Sequence, residues 1–259
     1  MFDTLNFEIR DRVGYVQFST PDTLNSISEA RLEDLERVIA QVNENAEVRA
    51  LTITGSGRAF CIGLDLELLQ RAFADIGYFE KVVRRLQAVL LDLESLPVPV
   101  IAAVNGYARA GGFELAIACD FMVIADEAKI GDRHTNLGVL PGGGISPRLP
   151  RRVGEQRAKA LVLLAPWLSG EQAVDYGLAL RSVPLAELPA AVEDMLGELR
   201  HRPRECSAAI KRAMHAARTL DSAQAVEFEI RTFVEYMGKL PYGLEGYQAS
   251  LAGRTPSWY

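Results

Sequence analysis

The chain has 259 residues, 49% of them hydrophobic and 24% charged, which is the balance of a globular protein with one large domain, or one domain and a small appendage. Its net charge of −6 offers no basic footprint for nucleic acid, and no apolar run approaches the ~20 residues of a membrane span. Three cysteines (Cys61, Cys119, Cys206) and three histidines (His134, His201, His215) show neither disulfide nor metal-ligand spacing, so no metal centre is expected. The opening "MFDTLNFEIRDRV" is charged from its third residue, unlike a secretory signal, and the expectation is a reduced, cytoplasmic protein.

"LNFEIR" (5–10) and "VGYVQFS" (13–19) read as two short strands joined by a polar turn at Asp11–Arg12. "LNSISEARLEDLERVIAQVNEN" (24–45) reads as a helix, with Ser28 as N-cap and apolar residues at 32, 35, 38, 39 and 42. "VRALTITG" (48–55) is a strand ended by glycine, and "GSGRAFCIGLDLELL" (55–69) leaves it through a turn and enters a helix. "QRAFADIGYFE" (70–80), with Gly77, is a candidate mobile pocket wall. "YFEKVVRRLQAVLLDLESL" (78–96) is a second amphipathic helix, stopped by Pro97 and Pro99. "VPVIAAVNG" (98–106) has the near-continuous apolar character of a strand buried on both faces. "ARAGGFELAIACD" (108–120) then reads as a buried helix, and "FMVIADE" (121–127) and "AKIGD" (128–132) as strands.

From about residue 155 the pattern is nearly all helical, in segments at 155–165, 169–177, 185–202, 203–218 and 222–240. Strand–strand–helix units that give way to a helical tail predict an α/β core over residues 1–190 and a helical part over 191–259. Val226, Phe228, Ile230 and Phe233 lie in a tail with too little local core to bury them, which predicts an oligomer.

The chemistry concentrates in two stretches. In "NGYARAGGFE" (105–114), Gly111 and Gly112 remove side chains where a helix begins. The first N–H groups of a helix lack internal partners, and the dipole adds positive potential there. Stripped of side chains, such donors approach a ligand oxygen closely, as an oxyanion hole requires. The alternative is that the glycines only permit tight helix–strand packing. In "GSGRAFCIGLDLELL" the N–H of Leu64, after Gly63, is a second candidate donor, and the alternative is a plain strand-to-helix turn with Asp65 as its cap.

Together these stretches resemble the crotonase, or enoyl-CoA hydratase/isomerase, superfamily. Its first motif reads roughly G-x-G-K-A-F-C-A-G-x-D and its second roughly N-G-x-A-x-G-G-G-x-E-L-A. "LNSIS", "LPGGGISPRLPRRVG" (140–154), "LSGEQAVDYGLALRSV" and "EGYQASLAGRTPSW" extend the resemblance over residues 4–258. It implies a spiral of ββα units with a helical C-terminal trimerisation part, a homotrimer or a hexamer of paired trimers, and an acyl-CoA substrate with no further cofactor. The thioester oxygen would lie between the backbone N–H groups of Leu64 and Gly111. Glu114 matches the glutamate that positions and deprotonates the attacking water, where the alternative is a glutamate that merely complements the helix dipole. Arg58, Ile62, Asp65 and Arg254 match positions near CoA, the last reaching from a neighbouring subunit.

Two departures stand out. The hydratases carry a second glutamate 20 residues after the first, and His134 stands there. His134 is either a second proton-transfer group or an ordinary turn histidine, and Asp132 either orients its ring or faces elsewhere. Ala110 replaces the first glycine of the family's triplet but leaves Gly111 intact, so little effect is expected of it. Cys61 reads as a small packed residue, and Trp167, Phe233 and Tyr236 as pocket wall or core. The expected reaction is addition of water to a 2-enoyl-CoA through a stabilised enolate. The alternatives are isomerisation, thioester hydrolysis, decarboxylation or C–C cleavage on the same scaffold, or acyl-CoA binding without turnover.

Overall fold

The computed structural model describes residues 1–239 and 241–258; Leu240, at the end of the expected 222–240 helix, and Tyr259 lie outside the described residues. The described chain divides into two compact units, residues 1–200 and 201–259.

The first unit opens with β1 (Leu5–Arg10) and β2 (Val13–Phe18), an antiparallel hairpin. Its two-residue loop places Asp11 and Arg12 at φ 47° and 65°, the left-handed pair that suits strand twist in a tight hairpin. Next comes α1 (Glu29–Glu44), capped by Ser28, whose side chain accepts the Arg31 N–H at 3.1 Å. Leu32, Leu35, Val38, Ile39 and Val42 form its buried face, as the spacing predicts. β3 (Ala50–Gly55) joins the sheet, β4 (Ala59–Cys61) leaves it, and α2 (Leu66–Ala74) and α3 (Ile76–Ser95) follow. The expected helix start at residue 78 moves back to Ile76. Asp75 ends α2 and caps α3, accepting the N–H groups of Gly77 and Tyr78, so Gly77 sits inside the first turn and does not break it.

β5 (Val100–Val104) is buried at all five positions, as its apolar run predicts. β6 (Tyr107–Arg109), α4 (Gly111–Ala118), β7 (Phe121–Ala125) and β8 (Ile130–Gly131) follow. Then come α5 (Ile145–Val153), α6 (Glu155–Leu163), α7 (Gly170–Asp175), β9 (Arg181–Val183) and α8 (Leu188–Leu199). The main sheet has the order β1-β2-β3-β5-β7-β9, parallel after the first pair, and β4-β6-β8 form a short parallel second sheet. Strands of two or three residues carry too little period to be read from sequence, which is why β4, β6 and β9 were not anticipated. α5 was hidden by its flanking glycines and by Pro147 and Pro150.

The compact unit ends at Arg200, ten residues beyond the boundary expected at 190. The reason is α8, whose Leu188, Ala191, Val192 and Leu196 are buried and which packs on β5 and β7. Its pattern marks it as a helix but says nothing about which core it joins.

The second unit contains α9 (Arg204–Ala216), α10 (Ser222–Lys239) and α11 (Tyr242–Leu251). Tyr242 is buried edge-on against Trp258, whose indole N–H donates to the His201 carbonyl at 2.7 Å. Along α10, Val226, Ile230 and Phe233 are 58%, 51% and 62% exposed. Among the described residues no helix is long and apolar enough to cross a membrane.

α4 lies at the centre of the packing around the site. It packs on β4, β6 and β7 and on α3 and α5, and every one of its eight residues is buried. Gly112 allows this. A Cβ there would overlap the Cys61 carbonyl and lie 2.9 Å from the Cys61 Cβ. Gly112→Ala must therefore push α4 off β4. An unfolding-free-energy loss of about 3 kcal/mol, at the upper end of the usual overpacking range, is expected in urea titration.

Candidate active site

β3 ends at Gly55 and the chain passes through β4 into Ile62, Gly63 and Leu64. This turn is held by side-chain amides. Asn25 donates to the carbonyls of Ser56 (2.9 Å) and Ala59 (2.7 Å), and Asn105 accepts the Gly55 N–H at 3.0 Å. Two backbone bonds then bracket Leu64: Ile27 N–H donates to the Gly63 carbonyl (2.8 Å), and Asp65 N–H donates to the Ile27 carbonyl (3.1 Å). The N–H of Leu64 between them has no acceptor among the described residues.

The second donor begins α4. The N–H of Gly111 belongs to the first helical residue and likewise finds no acceptor among the described residues. The two segments lie side by side: a Cβ on Gly63 would sit 2.8 Å from the Gly111 nitrogen, and one on Gly111 would sit 3.6 Å from the Leu64 nitrogen. Ala110, just before, takes φ 50° and ψ −119°, a backbone region that glycine prefers. A non-glycine residue held there stores about 1–3 kcal/mol of strain. The expectation that Ala110 is of little consequence therefore needs correction. The strain is held by the Ala110 N–H, which donates to the Asp132 carbonyl at 3.0 Å.

Glu114 is one turn further along α4 and 1% exposed. Its Oε1 accepts the Gly143 N–H at 2.6 Å. Burial pushes its carboxyl up to about 7; the nearby His134, the Gly143 N–H and Arg148 oppose that rise, and Asp132 adds to it. The loop that supplies Gly143 is itself anchored. Arg148 donates to the Gly143 carbonyl (2.8 Å) and to Glu94 (2.8 Å), and Gln87 donates to the Gly142 carbonyl (2.6 Å). A Cβ on Gly143 would overlap the Glu114 carboxylate, so a side chain there would have to displace that carboxylate.

His134 faces the same cavity with its side chain 15% exposed. Its Nδ1 lies 2.8 Å from Oδ1 of Asp132, which is wholly buried. Arg133 between them has φ 62°, and the turn it makes lets side chains two positions apart meet. Burial alone would lower the imidazole pKa. The hydrogen bond to Asp132 and the charges of Glu114 and Asp132 outweigh it and hold His134 above its ordinary value. Asp132 thus orients the ring, leaving the other ring nitrogen for a ligand.

The cavity measures about 550 Å³, and its wall is mostly apolar: Ile62, Leu64, Phe73, Phe79, Val83 and Leu86 contribute. Phe73 and Phe79 come from the 70–80 stretch, so that stretch is a wall of the pocket. Among the sequence candidates, Leu64, Gly111, Glu114, His134 and Ile62 converge here. Asp65 is a helix cap, its carboxylate accepting the Leu68 N–H at 2.7 Å. Arg58 is exposed, and its carbonyl accepts the Tyr107 N–H at 3.2 Å. Arg254, in the second unit, pairs with Glu245 through two bonds of 2.6 and 2.9 Å. Trp167 packs edge-on against Tyr107 and does not line the cavity, and Phe233 is exposed. Among the described residues no group of three or more His, Cys, Asp or Glu side chains is placed to hold a metal ion.

Sequence reasoning missed Gly143 and the Glu94–Arg148 pair. One signal was present: Glu94 continues the buried stripe of Leu86, Val89, Leu90 and Leu93 on α3, where an acid needs a partner.

Such a site can hold a carbonyl oxygen against two backbone donors while two side chains exchange protons beside it. Comparisons with known proteins identify the family. The enoyl-CoA hydratase/isomerase family profile matches residues 8–259. A probable mitochondrial enoyl-CoA hydratase of Dictyostelium discoideum is 31% identical over 258 residues, covering 100% of this chain and 91% of that one. A crotonyl-CoA hydratase of Syntrophomonas wolfei is 31% identical over 237 residues, covering 90% and 89%. The crystal structure of an enoyl-CoA hydratase from Bacillus anthracis superposes with a TM-score of 0.93 at 31% identity, covering 99% of both chains. The fold is therefore the crotonase fold, and the chain belongs to the enoyl-CoA hydratase/isomerase family.

Proposed function

We propose that the protein adds water across the double bond of a 2-enoyl-CoA, with Leu64 and Gly111 as the oxyanion hole and Glu114 and His134 as the proton-transfer pair. One observation carries this reading: two unpaired backbone N–H groups and two proton-exchanging side chains line one apolar cavity. The relatives named above support it.

The thioester oxygen accepts hydrogen bonds from the Leu64 and Gly111 N–H groups. Ionised Glu114 takes a proton from water as the water oxygen bonds to Cβ. The double-bond electrons move toward the thioester oxygen, where each N–H donor is worth about 3–4 kcal/mol to the transition state. Protonated His134 then delivers a proton to Cα through the nitrogen that Asp132 leaves free, and the enolate collapses. Glu114 ends protonated and His134 neutral, and one proton passed between them restores the site. The reading asks for no cofactor beyond the CoA carried by the substrate. Arg58 and Ile62 are its CoA contacts from the first unit. A cytoplasmic location fits the three free cysteines.

Glu114→Gln should nearly abolish hydration. His134→Ala should lower kcat by at least ~10²-fold, the usual worth of one positioned acid or base. His134→Glu should retain more activity than His134→Ala. Water addition is read by mass spectrometry of the intact thioester. If His134→Ala hydrates at the wild-type rate, the histidine is a turn residue and Glu114 acts without a second proton-transfer group.

The working form needs Glu114 ionised and His134 protonated. The rate should rise as pH rises through the Glu114 limb near 7 and fall above the raised His134 limb. Both limbs belong to the coupled pair. Asp132→Asn removes a charge that raises His134, so the alkaline limb should move to lower pH while the acid limb moves much less. A profile of kcat/KM against pH checks this, and an unmoved alkaline limb overturns the assignment.

Val226, Ile230 and Phe233 on one face of α10 support assembly into a trimer or a pair of trimers, in which Arg254 would lie near a neighbour's CoA. Light scattering should give a multiple of three chains; a concentration-independent monomer would sink this.

A further inference from the structure

The cavity carries more positive charge than its own residues neutralise. Arg109 and Arg133 both line it, and Glu114 is the only carboxylate among the described lining residues. Arg133 is occupied: its guanidinium stacks over the Trp167 ring at 5.0 Å and donates to the Ala165 carbonyl. The Arg109 guanidinium makes no hydrogen bond, ion pair or ring contact among the described residues. Arg109 stands on β6 paired with Gly131 of β8, so the adjoining strand position puts no side chain beside it. It is two residues before the Gly111 donor, and its charge is felt at the His134 imidazole. The free cation is thus next to the reacting groups, inside a mostly apolar wall.

A guanidinium in such surroundings is unfavourable until an anion arrives, and its planar fork suits a carboxylate through two parallel hydrogen bonds. Neither donor N–H nor Glu114 meets this need: the first present only the partial positive charge of their hydrogens, and the carboxylate is held by Gly143. We propose that Arg109 recognises a carboxylate at the far end of the acyl group, so that the preferred substrate is an enoyl thioester of a dicarboxylic acid and not of a plain alkyl acid. This rests on the hydratase reading and names its substrate class. A CoA phosphate offers similar anionic chemistry, and the test separates the two.

Glutaconyl-CoA and its isosteric counterpart, in which an isopropyl group replaces the carboxylate, are compared on the full-length protein by kcat/KM and by calorimetric binding. Wild type should favour the carboxylated ester by ~10²-fold, the scale of hydrogen bonds to a charged group at a half-buried position. Arg109→Gln should bring that ratio close to one, and Arg109→Lys should retain part of it. The same pair as pantetheine thioesters, which lack the CoA phosphates, should show the same dependence on Arg109. An alkyl preference in wild type overturns the proposal. So does an equal loss on both esters in Arg109→Gln, which would mean that Arg109 supports the chemistry itself. A dependence on Arg109 that vanishes with pantetheine esters assigns it to a CoA phosphate and overturns the proposal too. If neither ester is hydrated, the hydratase reading fails, and the binding ratio still decides the role of Arg109.

Discussion

The site depends on keeping two backbone N–H groups unpaired inside an apolar cavity. A buried donor without an acceptor is destabilising by about 1–3 kcal/mol, so a chain left to itself would find acceptors for both. Here the surroundings forbid it. The Ile27 bridge ties down the groups on either side of Leu64, and the amides of Asn25 and Asn105 fix the turn before it. On the other side, Gly112 brings α4 against the Cys61 carbonyl, and Ala110 is held in a strained conformation by the Asp132 carbonyl. The strain and the missing bonds belong together: both mark a region whose shape is imposed by packing and not by local preference.

The same helix that presents Gly111 must also bury a carboxylate. Burial drives Glu114 toward its neutral form, while the Gly143 N–H and the cations near it favour ionisation. The balance falls near neutrality, where a carboxylate both gives up and accepts a proton readily. That balance reaches well beyond the cavity. Gly143 is held by Arg148, and Arg148 is held by Glu94, a buried ion pair whose function here is to fix a peptide group. Asp132 does comparable work for His134. Asp132 thus holds two segments that line the cavity: its carbonyl takes the Ala110 N–H, and its carboxylate takes the imidazole.

Helices and buried strands were legible because their periodicity is local. Ser28 with the 32/35/38/39/42 stripe gave α1, and the apolar run at 98–106 gave β5. Boundaries set by long-range packing were not legible. α8 reads as part of the helical tail, yet its apolar face belongs to the sheet, and a helical stripe does not say which surface it will meet. β4 and β6 are too short for any pattern, though together with β8 they carry Ala110, Gly111 and Asp132 into place.

By itself the sequence determined the family, the two glycine-rich donor segments, Glu114 and the histidine in place of a second glutamate. Those are matters of residue identity and order along the chain. Tertiary structure alone decided that the Leu64 and Gly111 donors lie side by side, that the turn at Arg133 brings Asp132 onto His134, and that Arg133 is tied up while Arg109 has no partner among the described residues. Residues 64 and 111, or 114 and 143, become neighbours only when separate strands and helices pack, and a partner's absence, like its presence, is a property of that packing.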